Sequence, residues 1–183
     1  MNLTLLYLVF SMVAAAVILL ALSSRQQKAA GLPGGRVIYA DTRHWGPVEK
    51  PFYDAELGLT GKPDYLVEQG GNIIPVEVKS ARNVQAPYDA HIFQLAAYCL
   101  LVSRQKGKRP PYGLIHYVAR PSASPGQGGT TFVIDYTPEL EQAVLNLLNE
   151  IRASERLKDV PRSHQLPHRC ARCGYRSLCD QKL

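Results

Sequence analysis

Hydrophobic residues are distributed along this chain in three different patterns. The first is an unbroken run from Leu3 to Leu22, LTLLYLVFSMVAAAVILLAL, and no charged side chain occurs in the first 24 residues. Twenty apolar residues is about the length that crosses ~30 Å of hydrocarbon. Twelve of the twenty are Leu, Ile, Val or Phe, and at roughly −0.3 to −0.6 kcal/mol each they favour insertion by about −4 to −7 kcal/mol. A cleaved signal peptide is the competing reading, with Ala21-Leu22-Ser23 as its cleavage site. The run lacks a basic n-region, however, and exceeds the usual ~7–15 apolar residues. The expectation is therefore a single-pass membrane anchor over residues 1–24. Arg25, Lys28 and Arg36 follow it and place the remainder in the cytoplasm.

The second pattern is alternation. After a Gly-rich, polar linker at 25–35, Val37-Ile38-Tyr39 opens a folded domain expected over 36–160; residues 41–53 follow no clear pattern. Tyr65-Leu66-Val67 and Ile73 to Val78 flank Gln69-Gly70-Gly71-Asn72, a β-hairpin signature because Gly and Asn accept the positive φ of a tight turn. Gly113 to Ala119 and Thr131 to Tyr136 are β-branched and aromatic strands, and the Ser-, Pro- and Gly-rich stretch Pro121 to Gly129 is the loop between them.

The third pattern is helical. Ile92, Leu95, Ala96, Cys99 and Val102 recur at helical spacing within Tyr88 to Arg104. Thr137-Pro138 supplies an N-cap and a first-position proline. The helix it opens runs to about Arg156, with Leu140, Val144, Leu147, Leu148 and Ile151 on one face. Strands, helix, strands, helix predicts an α/β domain with a central mixed sheet flanked by helices, followed by a cysteine-rich tail at 161–183.

Composition changes this picture little. Hydrophobic content of 46% and charged content of 20% are ordinary for a globular protein. The formal charge of +6 suits a polyanion or an anionic membrane surface.

Candidate chemistry lies on the hairpin. Pro63-Asp64 precedes Glu77-Val78-Lys79 by thirteen residues, counted from Asp64 to Glu77. Alternate strand residues share a face, so Glu77 and Lys79 point the same way, and the hairpin brings Asp64 beside them. Two carboxylates flanking a lysine suit metal-assisted phosphodiester hydrolysis. Asp64 and Glu77 would hold Mg²⁺ or Mn²⁺ through hard oxygen ligands, with the Val78 carbonyl as a further one. Lys79 would orient water and stabilise developing negative charge. A plain Glu77–Lys79 salt bridge on an exposed strand is the competing reading. Gln94 and Tyr98, four apart on one helix face, are candidate DNA contacts; His91 shares roughly that face and reads as a bystander.

Taken together, Leu57-Gly58-Leu59-Thr60-Gly61-Lys62-Pro63-Asp64, Pro75-Val76-Glu77-Val78-Lys79, Gln94-Leu95-Ala96-Ala97-Tyr98 and a C-terminal cysteine triplet resemble the RecB-type exonucleases of the PD-(D/E)XK superfamily. The nearest resemblance is to their CRISPR-associated branch. It implies a restriction-endonuclease-like core, metal ligands at Asp64 and Glu77, a catalytic Lys79, and Gln94 and Tyr98 beside the active site. Two features of that family differ here. Its N-terminal helical segment, with a metal-binding histidine and a first cluster cysteine, is replaced by the apolar run and linker. His44 is the only histidine upstream of Asp64, in a setting unlike the family's, which leaves Asp54 or Glu56 as substitutes.

Cys170, Cys173 and Cys179 form C-x₂-C-x₅-C, and in a reducing compartment such spacing favours a metal centre over a disulfide. The resemblance implies a [4Fe–4S] cluster, which takes four thiolates, with Cys99 as the fourth. Zinc held by the three cysteines and His168 or His164 is the alternative. The function expected is thus a membrane-tethered, metal-dependent DNA nuclease, an exonuclease acting on single strands or ends. The alternative is an inactive membrane-anchored module of the same fold that binds nucleic acid or an unknown protein partner.

Overall fold

The computed structural model describes residues 3–29, 36–40, 51–80, 84–118 and 129–183. They form two compact units, Met1–Val144 and Leu145–Leu183. In the first, helix α1 (Leu3–Ala29) precedes β1 (Arg36–Ala40), β2 (Phe52–Asp54), β3 (Leu59–Gly61), β4 (Tyr65–Gln69), β5 (Asn72–Ser80), α2 (Asp89–Lys106), β6 (Tyr112–Val118) and β7 (Thr130–Asp135). Helix α3 (Pro138–Glu155) and the short α4 (Pro167–Ala171) complete the chain.

Five strands make one sheet in the order β1-β4-β5-β6-β7, and β2 and β3 make a separate hairpin. The expected turn is present: Gly70 and Gly71 both have positive φ, 56° and 71°, and join β4 to β5 in antiparallel register from Gln69↔Asn72 to Tyr65↔Val76. Strands β5 and β6 pair in parallel, Val76↔Leu114 through Ser80↔Val118. Parallel neighbours need a crossover, and α2 supplies it. With β1–β4 and β6–β7 antiparallel, the sheet is mixed, as the order of elements predicts.

Alternation along β5 sorts the core. Ile74 and Val76 pack with Val67 and Leu114 on one face. On the α2 face, Ile115 and Tyr117 meet Leu95, with Ile92, Phe132 and Ile134 around them. Each fully buried aliphatic side chain contributes about 1.5–3 kcal/mol.

Helix α2 is more deeply buried than its predicted stripe. Leu95, Ala96 and every residue from Tyr98 to Val102 are buried, because the helix is covered on two sides. The sheet takes one side. The β2–β3 hairpin takes the other, with Gly61 so close that a Cβ there would lie 2.7 Å from the Tyr98 ring and 2.9 Å from Leu101. Polar contacts fasten the hairpin: Arg104 bonds Asp54 at 2.7 Å and pairs with Glu56, and Gln105 donates to the Tyr53 carbonyl at 2.8 Å. The sequence pattern missed this hairpin because three-residue strands are too short to show alternation.

The expected membrane anchor is corrected. Among the described residues no helix is long and apolar enough to cross a membrane. The helix that forms does not end at Leu22 but continues through the polar stretch SSRQQKA, taking Arg25 and Lys28 into itself. The single-pass topology falls with the span, and so does the cytoplasmic placement inferred from its flanking charges.

At the start of α3, Thr137 Oγ1 accepts from the Leu140 amide at 3.2 Å, which is the predicted N-cap. In the second unit, Arg162 closes the tail into a loop. Its guanidinium donates to the Gln181 carbonyl at 2.7 Å, the His164 carbonyl at 3.0 Å and Gln165 Oε1 at 2.7 Å, while its own amide donates to Gln181 Oε1 at 2.7 Å. A planar fork with five donors suits several neutral acceptors at once. Arg162→Ala should therefore open this loop by about 2 kcal/mol, since hydrogen bonds to charged groups contribute ~1.5–3 kcal/mol. Limited trypsin digestion should cut at Lys158 at least tenfold faster in that variant, with the sheet left intact.

Candidate active site

Asp64 lies one residue before β4. Extending the Tyr65↔Val76 register by one places it opposite Glu77. Its Oδ2 accepts a hydrogen bond from the Val78 amide at 2.7 Å, so the carboxylate is tied to the strand that carries Glu77 and Lys79. Pro63 before it is fully buried, which fixes the approach of the chain.

Glu77 is buried, with its side chain 6% exposed, and Lys79 Nζ lies 2.6 Å from its Oε1. Gln94, on the first half of α2, donates Nε2 to the same Oε1 at 3.0 Å and to the Tyr98 hydroxyl at 2.7 Å. Both amide protons of Gln94 are thereby engaged. Oε2 of Glu77 is buried and has no hydrogen-bond partner. Burial pushes the Glu77 carboxyl above the usual carboxylate range; the hydrogen bond and charge of Lys79 oppose this, and the neighbouring Asp64 carboxylate adds to the rise.

The sequence-predicted trio Asp64, Glu77 and Lys79 is thus brought together, and Gln94 joins it. Tyr98 is only 8% exposed and reaches the cluster through Gln94. His91 stands one turn before Gln94, with Nδ1 2.7 Å from the Tyr117 hydroxyl. Burial and the Lys79 charge lower its pKa, so the ring is neutral at neutral pH. Asp54 and Glu56 do not join the cluster, because Arg104 holds both. His44 lies outside the described residues.

An unbonded buried carboxylate oxygen beside a second carboxylate is what a hard cation would satisfy. Among the described residues no three His, Cys, Asp or Glu side chains gather at one point. Asp64 and Glu77 are therefore the carboxylates on offer here, and main-chain oxygen and water would make up the rest of a shell. Mg²⁺, which keeps several waters, accepts such a set.

A profile of the PD-(D/E)XK nuclease superfamily matches residues 12–180. The chain belongs to the PD-(D/E)XK nuclease superfamily. Its α/β mixed sheet with flanking helices fits the nuclease-like core of that superfamily, whose members commonly use Mg²⁺ or Mn²⁺. Among solved structures, the crystal structure of SSO0001 is similar to this chain with a TM-score of 0.50 and 20% identity, over 94% of this chain and 72% of that one. At that identity the likeness concerns the fold alone. Among curated proteins none matches.

The expected cysteine centre is not supported by the arrangement of its donors. Cys170 is buried, with Sγ accepting from the Leu183 amide at 3.4 Å, while Cys173 is exposed. Among the described residues these thiols, with His168 and His164, form no group of three that could hold a metal ion. Cys99 is buried in the α2 core, where desolvation pushes its thiol up to about 12.

One residue packed beside the site was given no role by the sequence reading. Gly61 allows β3 to press on Tyr98, and its only signal is its place three residues before Asp64. Gly61→Ala should displace Tyr98, cost about 1–3 kcal/mol as overpacking does, and loosen Gln94 from Glu77. Thermal denaturation measures the first effect and the side-chain amide NMR signals of Gln94 the second.

A raised carboxyl pKa means that the folded state holds its proton more tightly than the unfolded state. The contribution of Glu77 to stability is then greatest in acid, and declines as pH rises from its ordinary 4.5 through the raised folded value. In EDTA at neutral pH, Glu77→Gln should be more stable than wild type by about 1 kcal/mol, the cost of a buried charge lacking a donor. That gain should vanish near pH 4 in urea titrations.

Proposed function

We propose that this chain is a metal-dependent deoxyribonuclease of the RecB-like exonuclease kind, hydrolysing phosphodiester bonds in single-stranded DNA or at ends. One observation carries the reading: Lys79 and Gln94 both bond Oε1 of Glu77, which leaves the buried Oε2 open beside Asp64. Asp64 and Glu77, with the Val78 carbonyl, would hold Mg²⁺ or Mn²⁺. Such an ion, when bound, supplies Lewis-acid neutralisation of phosphate charge and lowers the pKa of water.

The chain's own residues supply the positioning. Gln94, fixed by the Tyr98 hydroxyl, holds the Glu77 carboxylate in one orientation, and the Val78 amide does the same for Asp64. The Lys79 ammonium, a quarter exposed, is available to orient the attacking water and to stabilise charge on the phosphate oxygens. The order of the motifs around these residues supports the RecB-like branch, and Gln94 with Tyr98 would line the DNA path.

A second reading is a nuclease-fold module without catalysis that binds nucleic acid or a protein. It is favoured by the lack, among the described residues, of a third His, Asp or Glu at the site. Single-turnover cleavage of linear and circular DNA in Mg²⁺ and Mn²⁺ separates the two. Under the nuclease reading linear DNA is degraded. Asp64→Ala and Glu77→Ala should slow the reaction by about 10³-fold or more, and Lys79→Ala by about 10²–10³-fold, as loss of one charge-stabilising group does. Wild-type speed in Lys79→Ala would sink the assignment, and binding without cleavage by the wild type would establish the second reading.

A further inference from the structure

The second unit carries more than its share of the charge. Its 39 residues hold eight Lys and Arg against four Asp and Glu, so +4 of the formal +6 lies there. Between Asp159 and Asp180 there is no acidic residue, while Arg162, Arg169, Arg172 and Arg176 fall within that stretch.

These four arginines are treated differently by the fold. Arg162 is wholly engaged in closing the loop. Arg169, Arg172 and Arg176 are exposed, and among the described residues their guanidiniums meet no hydrogen-bond acceptor and no carboxylate. In the first unit, by contrast, Arg104 and Arg109 are each matched to carboxylates. In sequence Tyr175 lies between Arg172 and Arg176 and is 76% exposed, and Leu178 just beyond it is 85% exposed.

The loop that presents them is ordered by its own backbone. Successive turns bond Arg172 to Arg169, Cys173 to Cys170, Arg176 to Cys173 and Leu178 to Tyr175 at 3.0–3.3 Å. Its ends are tied by Arg162 to Gln181 and by the Leu183 amide to Cys170. Exposed guanidiniums three and four residues apart in sequence, with an exposed aromatic ring among them, match the chemistry of a single nucleic-acid strand. Its phosphates take the cations, and an unstacked base takes the aromatic face.

We propose that the 167–179 loop is a second contact for single-stranded DNA, with Arg169, Arg172 and Arg176 on phosphates and Tyr175 stacked on a base. This deepens the nuclease reading by giving the substrate strand a hold outside the carboxylate cluster, and it can be tested without cleavage.

The test uses the full chain in EDTA with a fluorescein-labelled mixed-sequence DNA strand of about 20 nucleotides, longer than one such site. Anisotropy is measured across a NaCl series. With roughly 0.7 counterion released per single-strand phosphate contact, the plot of log affinity against log salt should be shallower by about 2 in R169Q/R172Q/R176Q. Tyr175→Ala should weaken binding about tenfold with the slope unchanged. R169K/R172K/R176K should keep the wild-type slope, which separates charge from folding of the loop.

An unchanged slope in the triple Gln variant overturns the proposal, as does equal loss in the Lys and Gln variants. Competition by poly-glutamate as effective as that by DNA, with no effect of Tyr175→Ala, also overturns it and makes the loop a dock for an acidic protein. A protein that shows the expected slopes but cuts nothing in Mg²⁺ or Mn²⁺ leaves this contact standing and removes the nuclease reading alone.

Discussion

The Glu77 carboxylate is held on the inner face of the sheet, out of water, between an ammonium and a primary amide. Placing a charge there is costly, and the surrounding structure is arranged around that cost. Lys79 supplies opposite charge from two residues along the strand. Gln94 reaches down from α2, and its second proton goes to Tyr98, which is itself wedged under Gly61. One oxygen is satisfied and the other is not. A protein selected for stability alone would fill this position with a branched aliphatic residue, as it does at Ile115 directly alongside. Retaining the acid here sets local stability against chemistry, a conflict expected at functional sites.

What could be read in the sequence follows from what is local. The β4–β5 turn, the β5–α2–β6 crossover and the Thr137 cap depend on residues adjacent in the chain, and each is where the pattern puts it. The pairing of Asp64 with the Glu77 strand also follows from hairpin register. The Gln94–Glu77 bond was out of reach, since helix periodicity gives a face but not which side-chain atoms meet. The β2–β3 cover was missed because its strands are shorter than one period of alternation is able to reveal. The apolar run at the N-terminus was misjudged for a different reason: composition identifies an apolar stretch but not where its helix stops. The cysteine spacing suggested a shared centre, yet spacing sets only the reach of the chain. The burial of Cys170 and the outward position of Cys173 are tertiary facts.

Charge is divided unevenly between the two units, and so is the manner in which it is used. In the first, cations are matched to particular acceptors: Lys79 to Glu77, Arg104 to Asp54 and Glu56, Arg109 to Glu141 and the Tyr136 carbonyl. Arg109 also lies over the Tyr136 ring at 4.1 Å. Such pairs fix geometry more than they add stability. In the second, Arg162 alone has that role among the arginines of the 160–179 stretch, and it uses neutral carbonyls rather than acids. Its contacts should therefore be less sensitive to ionic strength than ion pairs of the same length.

The residues from Asp64 to Tyr98 form one continuous stretch of 35 positions in which every member of the carboxylate cluster is contained. The loops to be closed before these groups meet are short: a two-glycine turn, then the connection into α2. Closure entropy grows only with the logarithm of loop length, and chains dominated by near-neighbour contacts fold fast. Assembly of this cluster therefore need not wait for β1 and β7, the outer strands of the sheet, to dock. During synthesis the hairpin and its helix emerge together, and the arrangement around Glu77 can form while the last third of the chain is still within or behind the ribosome. Sequence changes in the terminal segments should thus alter how long the folded state persists more than how its carboxylates are aligned.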